Sequence, residues 1–165
     1  MGCKNSVLSG YTAEQLDEEV AQLTPRLPVA ELMNGGIIKL EGPNGFFNPE
    51  SLLDPSWLRG RMTLDEYRDA IYHINKCTAY SQIGLSKIYM TSEMPMRDKL
   101  RSEAGMAAVE EVNQRHRSVR FTYQRTNENM QINTSANSDR LTRMANRSGP
   151  PVAHASKTIL FIAIQ

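Results

Sequence analysis

Cysteine is scarce in this chain: Cys3 and Cys77 are the two among 165 residues. Apolar runs are short as well. No stretch reaches the roughly 18 apolar residues of a spanning helix, and no charged segment followed by an apolar one reads as a signal peptide. Membrane crossing and secretion are therefore both disfavoured, and a reducing compartment is expected. Neither sign of charge is in excess, with 19 basic and 18 acidic residues and a formal net charge of +1. Without a basic stripe there is no electrostatic case for nucleic acid as a partner. At this length one core of ordinary size, flanked by tails, is the default.

Recognisable catalytic chemistry is missing too. His73, His116 and His154 lie far apart, and no pair has the spacing of a metal site on one helix face. The chain has no G-x-S-x-G elbow, H-E-x-x-H pair, phosphate loop or calcium loop. Gly42 to Gly45 is followed by Phe46-Phe47-Asn48-Pro49, which cannot begin the helix that a phosphate cradle requires. Asp65, Glu66 and Asp69 near His73 read as a helix cap and a solvated face rather than an acid/base cluster. Neither an enzyme nor a cofactor or metal is expected.

What is present begins at the N-terminus. MGCKNS places Gly2 to accept a myristoyl chain once Met1 is removed, with Ser6 where the transferase signature wants Ser or Thr. A single myristoyl chain binds membranes with an association constant of only about 10⁴ M⁻¹, so a palmitoyl chain on the adjacent Cys3 is what makes anchoring stable. The expected location is the cytoplasmic face of the plasma membrane or the Golgi. The acceptor sequences Asn133-Thr134-Ser135 and Asn146-Arg147-Ser148 are then accidental, because a chain acylated in the cytosol does not meet the glycosylation machinery.

The remaining pattern predicts an α+β fold, a small and mostly antiparallel sheet packed against two or three amphipathic helices. Residues 1–28 form an acylated arm with a short helix, separable from a single domain over 29–165. Thr12 to Gln15 has the form of a capping box, and Leu16, Val20 and Leu23 follow on one face before Pro25. Gly35 to Gly42 reads as a strand. Thr63 to Glu66 is a second capping box, after which Leu64, Tyr67, Ile71 and Ile74 mark a helix to about Cys77, itself on the apolar stripe and expected as a core residue. A third helix is predicted from about Met96 to Arg117, with Leu100, Ala104, Ala107, Ala108 and Val112 inward. Val119, Phe121 and Tyr123 alternate as a strand, Thr126 to Asn129 reads as a turn, and Met130 begins a return strand. Residues 134–156 read as a mobile polar loop. Thr158 to Ile164 is apolar throughout, which predicts a strand paired inside the sheet and covered on both faces. Trp57 either plugs the core, the favoured reading, or anchors a partner.

Leu58 to Tyr67, leading into Ile71-Tyr72-His73-Ile74-Asn75, resembles the domain shared by golgin subfamily A member seven, the accessory subunit of the Ras palmitoyltransferase and the cysteine-rich hydrophobic proteins. Glu66, Tyr67, Ile71, Ile74 and Asn75 match that family's helix, and Thr158 to Ile164 matches its closing strand. The family's middle segment carries clustered, acylated cysteines, whereas Thr78 to Pro95 here is polar and has none, as though the anchor had moved to Gly2 and Cys3. The resemblance implies a non-catalytic accessory subunit or adaptor that binds and stabilises an integral-membrane palmitoyltransferase of the Asp-His-His-Cys type. Trp57, Arg59, Arg61 and Arg68 are the expected partner-binding residues, since guanidinium groups hold carboxylates bidentately. The alternative is an acylated scaffold or trafficking adaptor unrelated to acyl transfer.

Overall fold

The computed structural model describes residues 10–85, 94–131 and 152–165. Among them are helices α1 (Ala13–Leu23), α2 (Leu64–Tyr80) and α3 (Met94–Arg115) and strands β1 (Glu31–Leu32), β2 (Ile38–Pro43), β3 (Val119–Gln131) and β4 (Val152–Ile164). The four strands form one antiparallel sheet in the order β1-β2-β4-β3, so the architecture is α+β with helices packed on a sheet.

Both capping boxes form. Thr12 and Gln15 exchange bonds at the start of α1, and Thr63 accepts from the Glu66 N–H at 3.2 Å while Glu66 accepts from the Thr63 N–H at 2.8 Å. Each satisfies backbone donors that the first helical turn leaves without intrahelical partners. In α2 the apolar stripe turns inward, and Tyr67, Ile71 and Ile74 are fully buried. The helix runs one turn past Cys77, to Tyr80, and Gly84 then adopts a positive φ of 78°.

β4 lies at the centre of the sheet, hydrogen-bonded to β2 on one side and β3 on the other. Its inward residues align with those of its neighbours in rows that α2 and α3 cover: Ile38, Ile162 and Phe121 in one, Leu40, Leu160 and Tyr123 in the next. The expectation that β4 is covered on both faces is not met. Leu160 and Ile162 are buried, but Ile159, Phe161 and Ala163 on the opposite face remain half-buried. A continuous apolar run resembles a two-sided strand, yet alternation across a pleat lets one face stay open.

Three further boundaries differ from expectation. Thr126 to Asn129 is not a turn: β3 passes straight through it, paired with β4 from Val119↔Ile164 to Gln131↔Val152. The asparagines carry turn chemistry locally, but the ladder with a distant strand satisfies the segment's backbone groups instead. Residues 152–156, expected within the loop, belong to β4, and 134–151 lie outside the described residues. In α3, which begins at Met94, Ala107 is exposed, and Gly105, Ala108, Val109 and Val112 face inward. Gly105 is required there, because an added Cβ comes within 2.7 Å of the Tyr123 ring.

The first helix, expected as a separable arm, is packed on α2. Leu16 and Leu27 join Phe46 and Ala79 in a second apolar cluster, flanked by Val20, Leu23 and Tyr80. The start of the helix is also fixed by backbone: Tyr11 N–H donates to the Leu85 carbonyl and Gly84 N–H to that of Tyr11, each at 3.0 Å.

Two asparagines tie the helices to the rest. Asn75 Nδ2 donates to the Phe47 carbonyl at 2.7 Å and its Oδ1 accepts from the Phe47 N–H at 2.8 Å. Asn113 brackets Phe121 in the same way, at 3.0 and 2.8 Å. Replacing Asn75 with Leu keeps the volume but strands two buried backbone groups; we predict a loss of about 2–4 kcal/mol. Urea unfolding should show a lower midpoint at unchanged slope.

Candidate functional site

The segment between β2 and α2 carries three of the expected partner-binding residues. Asp54 accepts from the Ser56 N–H at 2.8 Å and starts a 3-10 turn over Pro55–Leu58, whose last residue is buried. Trp57 on this turn is half-buried against the main core, where its ring fills the edge of the cluster. Arg59 follows with a left-handed φ of 50°, and its guanidinium lies over Gly36, where no Cβ obstructs it. Arg61 is exposed, and its carbonyl accepts from Ser118 Oγ at 3.0 Å, which ties this turn to the start of β3. Arg59 and Arg61 thus stand on one exposed turn held from behind by Trp57 and Leu58.

Arg68 is differently placed. Its Nη2 and Nε donate to a single Glu50 oxygen at 2.6 and 3.0 Å, and Nη1 reaches Asp65 at 3.4 Å. Its guanidinium is therefore already engaged by carboxylates of its own chain. Nearby, the Tyr67 and Ser51 hydroxyls meet at 2.6 Å, and burial pushes the Tyr67 phenol up to about 12, so it stays protonated.

A His73, Cys77 and Glu111 cluster spans α2 and α3. His73 Nε2 lies 2.7 Å from Glu111 Oε2 and 3.8 Å from Cys77 Sγ. Nucleophilic activation requires the carboxylate on one ring nitrogen and the thiol on the other, whereas here both approach Nε2. Burial, and next the Glu111 charge, push the Cys77 thiol up, away from the reactive thiolate. The arrangement is an interhelical hydrogen bond beside a half-buried thiol. Asp65 and Glu66 are turned to Arg68 and to the cap, as expected. Among the described residues no group of three His, Cys, Asp or Glu side chains is placed to hold a metal ion, and no helix is long and apolar enough to cross a membrane.

The open face of the sheet carries charge. Glu41 on β2 sits 2.7 Å from Lys157 and 3.1 Å from Lys39, which also reaches Glu31 at 3.5 Å. Lys157 and then Lys39 hold the Glu41 carboxyl below the usual carboxylate range.

One large cleft lies between α1 and α2. It encloses about 390 Å³ and is lined by Val20, Ala21 and Pro25 on one side and by Tyr72, Lys76 and Ala79 on the other. Asp17 at its rim accepts from the Tyr80 hydroxyl at 3.2 Å. A smaller space of about 120 Å³, with Leu16, Leu23, Phe46 and Arg101 among its walls, lies against another face of α1. Neither was visible in the sequence. The α1 side of the large cleft and its α2 side are separated by some fifty residues of chain, and no local pattern announces that they meet. The same holds for Glu111 and His73, which are 38 positions apart.

Gly2 and Cys3, the expected acylation sites, lie outside the described residues. Comparison with known protein families, curated proteins and solved structures finds no match to this chain.

Two measurements check these assignments. Because the folded pKa of Glu41 is depressed, its stabilising contribution is complete above the unfolded value near 4.5 and is lost as pH falls through the folded value. The stability gap between the wild type and Glu41→Gln should therefore be widest near neutrality and close in acid. In a Cys3→Ser background, Cys77 should react with a disulfide reagent more slowly in the native than in the unfolded chain. Equal rates overturn its assignment as a half-buried, inactive thiol.

Proposed function

We propose that this protein is a lipid-anchored, non-catalytic accessory subunit that binds and stabilises an integral-membrane palmitoyltransferase of the Asp-His-His-Cys type at a cytoplasmic membrane face. The observation that carries the reading is the structural weight of the residues on which the family resemblance rests. Glu66 closes the cap of α2, Tyr67 reaches Ser51, Ile71 and Ile74 are fully buried, and Asn75 brackets Phe47. Five residues with separate, specific tasks are a more demanding coincidence than five that merely keep a helical period. Further support comes from the N-terminal Gly2-Cys3 pair, which supplies two acyl chains and hence stable residence on the leaflet that faces the enzyme's cytosolic side.

On this reading the exposed turn of Arg59 and Arg61, backed by Trp57, is the surface that meets acidic groups of the partner. Arg68 is not free for such a role, since Glu50 holds its guanidinium. Purification from detergent-solubilised membranes should recover a multispanning acyltransferase with the wild type. The double variant Arg59→Glu/Arg61→Glu should stay folded and membrane-bound yet recover at least about tenfold less, a loss on the scale of interfacial charge pairs. Gly2→Ala should release the protein into the cytosol, because a chain lacking the first acyl group is not held where Cys3 is modified. If reconstitution with candidate acyltransferases changes neither their abundance nor their autoacylation, the accessory reading is wrong and an adaptor unrelated to acyl transfer replaces it.

A further inference from the structure

The cleft between α1 and α2 is a mainly apolar space without an occupant from the described chain. Val20, Ala21 and Pro25 face Tyr72, Lys76 and Ala79 across it, with Asp17, Thr24 and Asn75 as its polar lining. A cavity of about 150 Å³ takes the six carbons of a benzene ring, so the 390 Å³ here has room for an unbranched chain of about fourteen carbons. That is the carbon count of a myristoyl group, which enters so short a cleft folded back on itself.

The tether fits. Gly10 sits against Gly84 at the end of α2, held by the paired backbone bonds of Tyr11. From there the eight residues Gly2 to Ser9 reach at most about 26–29 Å, whereas the cleft runs only from Ala79 back to Tyr72, about 10 Å along α2. Asp17 and Lys76 are the charged residues that line the cleft, one of each sign, so its rim has no excess of charge to draw it onto an anionic lipid surface. Lys4 is the one charged side chain in residues 1–9.

We propose that this cleft receives the myristoyl chain of the protein's own Gly2, which rests on the acylation reading above. The chain then has two sites, the cleft and the bilayer, and a protein with one acyl group divides between them. The cleft has room for one chain only, so acylation of Cys3 adds a group that the bilayer alone accommodates and shifts the protein to the membrane.

The full chain produced in bacteria with an N-myristoyltransferase carries the first acyl group and leaves Cys3 free. Acylation should shift the methyl resonances of Val20, Ala21 and Ala79 relative to the unmodified protein. Binding to neutral phosphatidylcholine vesicles should be weaker than that of an unsequestered myristoyl chain. Ala21→Trp, which fills the cleft from an exposed helix position, should strengthen it about tenfold, toward 10⁴ M⁻¹. Methyl shifts in the unmutated protein keep the proposal testable if that variant misfolds. Acylation without shifts at the cleft, with Ala21→Trp binding as the wild type does, overturns the cleft and leaves the anchor reading standing. A chain that the transferase does not modify overturns both. Shifts that depend on protein concentration and not on acylation assign the cleft to a second copy and overturn the proposal.

Discussion

The fold depends on two side chains that behave as pieces of backbone. Asn75 and Asn113 each offer a carbonyl and an amide with the spacing of a peptide group, and each closes both hydrogen bonds of a phenylalanine. Phe47 lies in the turn after β2, where no strand partner reaches it. Phe121 lies on β3 at the sheet edge, where the bonds to Asn113 cover backbone groups that otherwise face outward. Because an unsatisfied buried amide is expensive and an apolar contact is not directional, these four bonds set where α2 and α3 sit far more sharply than the surrounding leucines and isoleucines can.

Fixing the helices on one face leaves the other face of the sheet to a different chemistry. Inward rows such as Ile38, Ile162 and Phe121 are sealed by α2 and α3, while the outward side carries the Glu31, Lys39, Glu41 and Lys157 pairs beside half-buried Ile159 and Phe161. The charged pairs keep this side wet and orient the lysines along the strands. The same logic operates at the turn before α2, where Trp57 and Leu58 point inward and the arginines are left on the surface. α1 completes the body by covering Phe46 and Ala79, and in doing so creates the cleft beside Tyr72 and Lys76.

Much of this was legible in the residues. The two capping boxes were, since each needs only four consecutive positions, and so was the inward stripe of Tyr67, Ile71 and Ile74, since helical period is a local property. The central position of β4 followed from its apolar run. The turn expected at Thr126 to Asn129 failed because its residues favour turns only when no partner strand is at hand, and β4 supplies one from more than twenty residues away. Ala107 was misplaced for a related reason: small residues satisfy several helical phases equally, and it is Gly105 against the Tyr123 ring that selects one.

The capping boxes, the helical stripe of α2, the Gly2-Cys3 motif expected to be acylated and the lack of familiar catalytic motifs were all legible in the residues, because each is written in neighbouring positions. Tertiary packing alone brings the first helix onto the body, gives Arg68 to Glu50, sets Cys77 and Glu111 against one ring nitrogen of His73, and opens a cleft between α1 and α2. All four are meetings of residues distant along the chain, and such meetings are set by how whole elements pack, which no short stretch of sequence encodes.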